Sequence, residues 1–363
     1  MKGQFRIMSD TSDIRVLRFG VIGCGAVTEG RYLPAAGRVR GIEVTHLADL
    51  DEGRARELAD RHGVRGVGDH RALIEAGLDA VVVATPPASH ARIASDFLEA
   101  GIHVLCEKPM APSGAEARRM VDAARGGGAL LSIAMVRRLA RASQLLHTLV
   151  ATEMLGRVVR VDAEEGAEFG WPLRGGDTFL HRGAGGVLLD TGSHIVDLVL
   201  WCLQSRGERL LDFRDDALGG VEANAEMRFQ AERETGPVEV RIEVSFTRQL
   251  RNTIRIYGER GWLEAPTNSG FEVLFHQAGG GAEPIVVHRR EVAPARPRSR
   301  VDDFVLQLDA FARAVRAGGP APVPGDEAAR AVELIEACRG TRTPSRILDW
   351  EQSADMPTGV GRG

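Results

Sequence analysis

The chain has 363 residues, which is more than one hydrophobic core usually supports, so we expect two domains. Its formal net charge of -4, with 26% charged and 44% hydrophobic residues, is ordinary for a soluble globular protein and gives no sign of a nucleic-acid partner. No apolar run could span a bilayer and residues 1–15 lack the apolar core of a signal peptide, so no membrane partner is expected. Four widely spaced cysteines without a CxxC pair argue against zinc and disulfides and are typical of the cytoplasm.

Residues 16 to 134 alternate short apolar runs with amphipathic stretches. Strands are predicted at 16–23, 42–49, 79–86 and 102–109, and helices at 27–39, 51–63, 70–77, 89–101 and 113–127. Strands that are apolar on both faces and alternate with helices indicate an α/β fold with a doubly wound parallel sheet. We expect this domain to occupy residues 1–134.

Beyond residue 135 the pattern changes. A helix is predicted at 142–156, strands with period-two alternation at 157–165, 221–230, 237–246, 251–265 and 271–277, and helices at 301–319 and 326–340. The alternation predicts a largely antiparallel, open sheet with one face packed and the other available. Residues 135–363 are therefore predicted to form an α+β domain, and the available face makes a homodimer or homotetramer the expected assembly.

The stretch VIGCGAVTEGRYLPAA ends the first predicted strand and opens a helix, which is the context that a dinucleotide-binding turn requires. Gly23 allows a tight turn, and Gly25 lets the backbone approach a pyrophosphate at the helix N-terminus. Ala26 and Val27 complete the candidate cofactor-binding turn. Thr28 stands where a third glycine or an alanine is usual, so a plain glycine-rich turn remains an alternative.

Asp49 ends the second predicted strand, about 20 residues beyond the turn, where a carboxylate accepts hydrogen bonds from the adenosine ribose. A carboxylate there repels a 2'-phosphate and no arginine follows it directly, so NAD is favoured over NADP. Capping of the next helix is a compatible role for Asp49. The next strand ends at Thr85 and Pro86, and His90 follows at the start of the next helix. All three are further candidate cofactor contacts, although helix capping is at least as good an explanation of His90.

Lys108 is unusual because only two of the 46 Lys and Arg residues are lysines, and the other is Lys2. It lies at the carboxyl end of the strand predicted at 102–109, in the same parallel sheet. In the oxidation of an alcohol, an ammonium stabilises the developing alkoxide and can relay a proton, whereas a guanidinium cannot exchange its proton. The alternative, a lysine retained by chance, is weakened by the arginine-rich background.

The apolar stretch 185–201 is a predicted helix that carries Asp190, His194 and Asp197 on one narrow stripe. These groups need partners, because burial without one costs about 1 to 3 kcal/mol. The stripe is either structural or catalytic, with His194 as a general acid/base near neutral pH and Asp190 tuning it, and periodicity does not decide. No metal site is expected, since no third ligand stands at a suitable spacing.

Several stretches together resemble the glucose-fructose oxidoreductase, inositol dehydrogenase and MocA family. They include VIGCGAV, VVVATPPASHARIASDFLEAGIHVLCEKPMA and GAGGVLLDTGSHIVDLVLW, and the pairing of EKP with D-x-G-x-H is the most specific feature. The resemblance covers nearly the whole chain. It implies a Rossmann domain, an α+β domain whose open sheet often mediates oligomers, and chemistry at a carbinol of a sugar, cyclitol or nucleotide sugar.

The resemblance also implies roles for individual residues. Lys108, Asp190 and His194 match the family's catalytic residues, which also contact substrate. Glu107 of the EKP motif joins the candidate cofactor contacts, and Asp197 is expected to be structural.

Arg138, Trp171 and Arg174 are the remaining substrate candidates. Arg138 stands where the family often has an Arg-Phe pair followed by proline, but Leu139 and Arg141 follow it here. Trp171 and Arg174 lie in residues 168–186, before the catalytic helix; this stretch is either a substrate-selecting loop or an ordinary connection.

The leading prediction is an NAD-dependent oxidoreductase that transfers hydride between a nicotinamide and a secondary hydroxyl or ketone of a sugar, cyclitol or nucleotide sugar. Two alternatives remain: an NAD-assisted glycoside hydrolase with no net redox change, and a non-catalytic sugar-sensing regulator on the same fold. Retention of all three catalytic residues favours the enzymes over the regulator.

Overall fold

The computed structural model describes residues 14–168, 185–217, 221–268, 272–279, 283–287 and 299–341. The chain divides into two compact units. The first unit contains the described residues from 14 to 107, 119 to 134 and 299 to 325. The second contains those from 108 to 118, 135 to 287 and 326 to 341.

The described residues of the first unit form a six-stranded parallel sheet. Its strands are Leu17–Ile22 (β1), Ile42–Ala48 (β2), Arg65–Val67 (β3), Ala80–Val83 (β4), His103–Cys106 (β5) and Leu131–Ile133 (β6). They pair in the order β3-β2-β1-β4-β5-β6. The order reverses at β1, between β2 and β4, and sheets of this type bind ligands beside such a reversal.

The described residues of the second unit form an eight-stranded sheet. Its strands are Val158–Gly166 (β7), Gly207–Asp215 (β8), Asn224–Arg233 (β9), Gly236–Ser245 (β10), Thr253–Gly258 (β11), Gly261–Pro266 (β12), Val273–Gln277 (β13) and Ile285–Val287 (β14). Their order is β14-β13-β12-β11-β7-β10-β9-β8. β7 and β10 run parallel, and the other pairs are antiparallel. The predicted fold class is therefore confirmed.

The α-helices are Leu33–Ala36 (α1), Glu52–His62 (α2), Pro87–Glu99 (α3), Gly114–Gly127 (α4), Arg141–Ala151 (α5), Ser193–Leu203 (α6), Arg300–Ala317 (α7) and Gly325–Gly340 (α8). Wider π-helical turns, Thr28–Tyr32 and Leu188–Gly192, directly precede α1 and α6. Tighter 3₁₀ turns occur at His70–Leu73 and Val136–Leu139.

Each unit has a hydrophobic core of its own. In the first, Phe19 of β1 packs edge-on against Phe311 of α7, with ring centroids 6.1 Å apart. In the second, α5 and α6 pack on alternate residues of the sheet, such as Val240 and Ile256. Each fully buried aliphatic or aromatic side chain contributes about 1.5 to 3 kcal/mol, so these cores fix the elements that carry the site.

Two predicted elements differ from the structure. The helix predicted at 70–77 is only a 3₁₀ turn, since Asp69 accepts a hydrogen bond from the Arg71 N–H at 3.0 Å and holds a tight turn there. The strand predicted at 251–265 is a hairpin of β11 and β12. Gly261 allows it, because its φ is +141° and a Cβ there would lie 2.0 Å from the His276 carbonyl oxygen.

Candidate active site

The glycine-rich turn joins β1 to the helical segment that begins at Ala26 and Val27. Gly23 has a φ of +95°, and a Cβ there would lie 2.4 Å from the Ala84 carbonyl oxygen, so only glycine fits. A Cβ on Gly25 would meet nothing within 4 Å. The backbone is thus open where a pyrophosphate would approach the start of the helix, and the turn fits a dinucleotide.

Thr28 explains why the third glycine position holds a side chain. Its hydroxyl donates to the Gly23 carbonyl oxygen at 2.5 Å, and the residue is fully buried. The hydroxyl therefore ties the first π-helical turn to the glycine turn. From the sequence alone, Thr28 was only a departure from the usual glycine or alanine of the motif.

Asp49 directly follows β2, and its carboxylate holds the backbone of the glycine turn at Cys24. Its Oδ2 accepts from the Cys24 N–H at 2.7 Å, and its Oδ1 accepts from the Asp51 N–H at 3.0 Å. The residue that caps α2 is Asp51, which accepts from the Arg54 N–H at 3.1 Å, so the capping role considered for Asp49 is wrong.

Arg54 is a residue that the sequence analysis missed. Its Nε donates to the Cys24 carbonyl oxygen at 2.6 Å, which holds a guanidinium beside the glycine turn. It stands five positions after Asp49, and one turn of α2 brings it back to the end of β2. The helix period is the only signal that could have revealed it.

Thr85, Pro86 and His90 form the connection from β4 to α3. Pro86 is the N-cap of α3, and the fully buried His90 donates from Nε2 to the Thr85 carbonyl oxygen at 2.7 Å. Ser89 donates to the Thr85 hydroxyl at 2.8 Å. The imidazole of His90 therefore holds the turn at the same sheet edge as Gly23.

Glu107 and Lys108 directly follow β5. Glu107, in the first unit, accepts a hydrogen bond from the Tyr32 hydroxyl at 2.7 Å. Lys108, in the second unit, donates from Nζ to Oδ1 of Asp190 in a mostly buried ion pair. The structure thus brings together two of the predicted catalytic residues, which are 82 positions apart in the chain.

The predicted stripe of Asp190, His194 and Asp197 lies on the second π-helical turn and α6. Each member has different surroundings: Asp190 pairs with Lys108, and Asp197 pairs with Arg138. His194 is 8% exposed, and its Nδ1 is buried without a hydrogen-bond partner among the residues that the structure describes. An unpaired buried nitrogen is costly, which is typical of a site waiting for a ligand group.

The pKa of His194 is lowered well below 6.5, first by burial and then by the charges of Arg137 and Lys108. The imidazole is therefore neutral at pH 7. This differs from the expectation of a histidine that titrates near neutral pH and is tuned by Asp190. Burial first, and then the nearby cations, lower its pKa; the Asp190 carboxylate is not among the causes.

Arg137 is a second residue that the sequence analysis missed. Its guanidinium forms a bidentate ion pair with Glu165 at the end of β7, with Nη2 and Oε1 2.6 Å apart. Both side chains are largely buried. The pair keeps a positive charge close enough to act on His194, as the lowered pKa of that residue indicates.

Arg138 is 3% exposed and already holds two carboxylates. Its Nε and Nη2 donate to Asp197 at 2.8 and 2.6 Å, and its Nη1 donates to Glu327. These contacts favour a structural role over the predicted contact with substrate. The other two substrate candidates, Trp171 and Arg174, lie outside the described residues.

No group of three or more His, Cys, Asp or Glu side chains in the described ranges is arranged to hold a metal ion. Nor is any helix within those ranges both long and apolar enough to cross a bilayer.

Two family models match most of the chain. Residues 17–135 match the model described as "Oxidoreductase family, NAD-binding Rossmann fold", and residues 143–264 match the GFO/IDH/MocA C-terminal domain. The chain belongs to the GFO/IDH/MocA oxidoreductase family. The family predicted from the sequence is thus confirmed, and with it an NAD-binding Rossmann fold.

Curated members of the GFO/IDH/MocA family align over nearly their whole length. The dTDP-3,4-didehydro-2,6-dideoxy-alpha-D-glucose 3-reductase of Streptomyces violaceoruber is 29% identical, covering 91% of this chain and 96% of the relative. Inositol 2-dehydrogenase 1 of Saccharopolyspora erythraea is also 29% identical, covering 95% and 99%. Among solved structures, levoglucosan dehydrogenase in complex with NADH and levoglucosan superposes with a TM-score of 0.78 at 19% identity, covering 90% and 97%. That likeness shows a shared fold.

Proposed function

We propose that this protein is an NAD-dependent dehydrogenase or reductase that transfers a hydride between the nicotinamide and the carbon of a secondary hydroxyl or ketone. The observation that carries the proposal is the neutral, buried His194, whose Nδ1 has no partner within the described ranges, near the ion pair of Lys108 and Asp190. When an alcohol loses its proton, a neutral imidazole can accept that proton and an ammonium can stabilise the negative charge left on the oxygen.

Lys108 stabilises charge on the reacting oxygen. Its ammonium is held by Asp190, so it is already oriented before the reaction begins. As the substrate hydroxyl loses its proton, its oxygen gains alkoxide character, and a fixed positive charge stabilises that charge until the carbon has given up its hydride. Asp190 is thus the residue that orients Lys108.

His194 moves the proton. In alcohol oxidation Nδ1 accepts the hydroxyl proton while the carbon loses a hydride, so that a ketone, a hydride and a proton result. Nicotinamide supplies the acceptor or donor for the hydride. Because burial and the charges of Arg137 and Lys108 disfavour the imidazolium, His194 passes its proton on readily and returns to the neutral form.

The cofactor is held by the carboxyl edge of the parallel sheet. Gly23, Gly25, Ala26 and Val27 receive the pyrophosphate, and Asp49 receives the adenosine ribose; Thr85, Pro86, His90 and Glu107 complete the site. NAD is preferred over NADP because the Asp49 carboxylate repels a 2'-phosphate. Arg54, beside the same turn, is the residue that would favour NADP if Asp49 were absent.

The substrate is a sugar, a cyclitol or a nucleotide sugar. The support is the set of reactions named for the full-length relatives, together with the carboxylate and ammonium groups of Asp190 and Lys108, which suit hydroxylated ligands. Contacts of Arg138, Trp171 and Arg174 with the substrate remain predictions. Of these, Arg138 has the weakest support because Asp197 and Glu327 occupy its guanidinium.

The wider setting is also proposed. Four buried, unpaired cysteines support a reducing compartment, the cytoplasm. The open face of the second sheet and exposed apolar residues such as Ile285, 56% exposed, support a homodimer or homotetramer. Division of the chain into domains 1–134 and 135–363 remains a prediction; α7, which follows residue 135 in the chain, lies in the first unit.

The proposal is tested by following NADH formation with a panel of cyclitols, free sugars and nucleotide sugars, each with NAD and with NADP. We expect turnover with at least one of them and a higher kcat/KM with NAD. Product analysis with glycosides separates a dehydrogenase from an NAD-assisted hydrolase, which would release sugar without net NADH. Absence of both NAD binding and turnover across the panel would contradict the proposal.

A further inference from the structure

We propose that Tyr32 and Gln307 are positioning residues that hold the Glu107 carboxylate in the orientation that receives the cofactor. The proposal rests on the proposed function, because it takes NAD to be the ligand of the first unit. It adds two side chains, one from the π-helical turn after the glycine turn and one from α7, to the machinery of that site.

The three side chains form a short chain of hydrogen bonds within the first unit. The Tyr32 hydroxyl donates to Oε1 of Glu107 at 2.7 Å, and Nε2 of Gln307 donates to the Tyr32 hydroxyl at 3.2 Å. Tyr32 is 1% exposed and Gln307 is 4% exposed. The bond between Gln307 and Tyr32 is therefore shielded from water, which strengthens it, and the bond to the half-buried Glu107 is partly shielded.

The direction of the chain follows from the chemistry of its ends. An ionised carboxylate only accepts hydrogen bonds, and an amide NH₂ only donates them. With the amide turned the other way, two acceptors would face the single phenolic hydrogen. Gln307 therefore donates to the phenol oxygen, and the phenol hydrogen is left for Glu107.

Tyr32 is well suited to be a permanent donor. Burial, followed by the charge of Glu107, raises the pKa of its hydroxyl well above the ordinary value, so the phenol stays protonated. Its ring packs edge-on against Phe304 of α7, with centroids 4.9 Å apart. Because Tyr32 ends the π-helical turn after the glycine turn, the bond to Glu107 also links that helix to the end of β5.

Gln307 has a feature that stability alone does not explain. Its Oε1 is buried and has no hydrogen-bond partner among the described residues. Burying an unpaired amide oxygen is unfavourable relative to burying a paired one, so an apolar side chain would suit this position better if packing were its only task. What Gln307 supplies at this position is its Nε2 donor, which bonds the Tyr32 hydroxyl.

The position of Glu107 identifies the part of the cofactor involved. The order β2-β1-β4-β5 separates it from Asp49 by three strand spacings, about 14 Å at about 4.8 Å each. A dinucleotide whose adenosine ribose lies at Asp49 can reach Glu107 with its nicotinamide half. Glu107 would there accept from a ribose hydroxyl or from the carboxamide N–H.

The experiment compares Tyr32→Phe with the wild type in the full-length protein, using the Kd for NAD and the KM and kcat with the best substrate. We expect the Kd and KM for NAD to rise about tenfold, which is the usual effect of losing a hydrogen bond to a charged group. At saturating NAD, kcat should stay within about twofold, since the phenol does not contact the reacting atoms. A purely structural role would lower the active fraction and the melting temperature without this split.

Gln307→Glu provides a nearly isosteric second variant. Its carboxylate cannot donate and instead competes for the phenol hydrogen, so it should raise the Kd for NAD as Tyr32→Phe does. The double variant Tyr32→Phe/Gln307→Glu should be no worse than Tyr32→Phe alone, because the phenol connects the two. Tyr257→Phe, which removes the same hydroxyl from the second unit's sheet, is the matched control and should leave the Kd unchanged.

The outcomes distinguish the positioning role of Tyr32 and Gln307 from the proposed function of the protein. If the wild type binds NAD and the Tyr32→Phe and Gln307→Glu variants bind it equally well, the positioning role is overturned and the proposed function stands. A fall in kcat with an unchanged KM for NAD also overturns the positioning role. If the wild type binds no NAD, both proposals fail.

Discussion

Lys108 and His194 are two basic side chains whose surroundings act on them in opposite ways. The Asp190 carboxylate accepts a hydrogen bond from the Lys108 ammonium and so stabilises its charge, whereas burial and two neighbouring cations keep the His194 imidazole neutral. Groups that differ in this manner can divide the work of a reaction, one holding charge and the other moving a proton.

Replacing Lys108 by arginine tests whether the site needs an ammonium. A guanidinium keeps the positive charge but is larger and planar, so it does not hold that charge where the compact ammonium does, and we expect kcat to fall by about 100-fold or more. Binding of NAD and the melting temperature should change little. Arg118→Lys, the reverse exchange at the half-exposed ion pair with Glu333, is the control and should retain full activity. An unchanged rate in Lys108→Arg would contradict the role in catalysis.

The pH dependence follows from His194. A base is active above its pKa, so a pKa lowered from 6.5 moves the acidic decline of kcat/KM for alcohol oxidation to pH values below about 6.5. The double variant Arg137→Gln/Glu165→Gln removes one of the responsible charges without leaving an unpaired buried carboxylate. In a pH series of initial rates, its decline should shift toward higher pH. A wild-type decline centred above pH 6.5 would contradict the assignment.

At the scale of elements, both helices of the candidate site begin with a π-helical turn. Thr28–Tyr32 follows the glycine turn, and Leu188–Gly192 contains Asp190 just before α6. A π-helical turn is rare and is found frequently at functional sites. The regular periodicity from which the stripe of Asp190, His194 and Asp197 was predicted does not include such a turn, and this contributes to their different surroundings.

Gly23→Ala should damage the connection between β1 and its helix. A Cβ there would lie 2.4 Å from the Ala84 carbonyl oxygen and would impose a positive φ on alanine, at a cost of about 1 to 3 kcal/mol or more. We expect lower stability in urea unfolding and a loss of NAD binding in calorimetry. Gly126→Ala, in open space within α4, should be neutral or stabilising by about 0.5 to 1 kcal/mol. Equal behaviour of the two variants would contradict this account.

Asp197→Asn should destabilise the second unit. It leaves the Arg138 guanidinium, which is 3% exposed, with one carboxylate fewer, and breaking such a buried pair costs about 3 to 5 kcal/mol. The exposed pair of Arg206 and Glu234 offers the comparison, since Glu234→Gln should cost at most about 1 kcal/mol. Urea unfolding of both variants gives the two values. Similar losses would mean that burial does not govern the Arg138 pair.

For the whole molecule, local patterns were sufficient for the fold class but not for every strand, since β3, β6, β8 and β14 were not predicted. Buried strands such as Ala80–Val83 gave the parallel sheet, and period-two alternation gave the second sheet. They were insufficient for the contacts of the site. Tyr32 and Gln307 are 275 positions apart, and no local period links them. The adjacent Arg137 and Arg138 look alike in sequence, yet one pairs with Glu165 and the other with Asp197. Only the packing of their 3₁₀ turn against β7 and α6 decides which carboxylate each one meets.

The scarcity of lysine makes the Lys108 ion pair accessible to chemical labelling. An amine-selective acylating reagent has only Lys2, Lys108 and the α-amino group to modify. Because Asp190 holds the ammonium and the side chain is 21% exposed, we expect Lys108 to be acylated more slowly than Lys2, and faster in Asp190→Asn. Peptide mass spectrometry measures both rates, and equal rates would mean that the ion pair does not shield the amine. A single carbon-13 methyl tag at this nitrogen would then serve as a spectroscopic reporter of what enters the site.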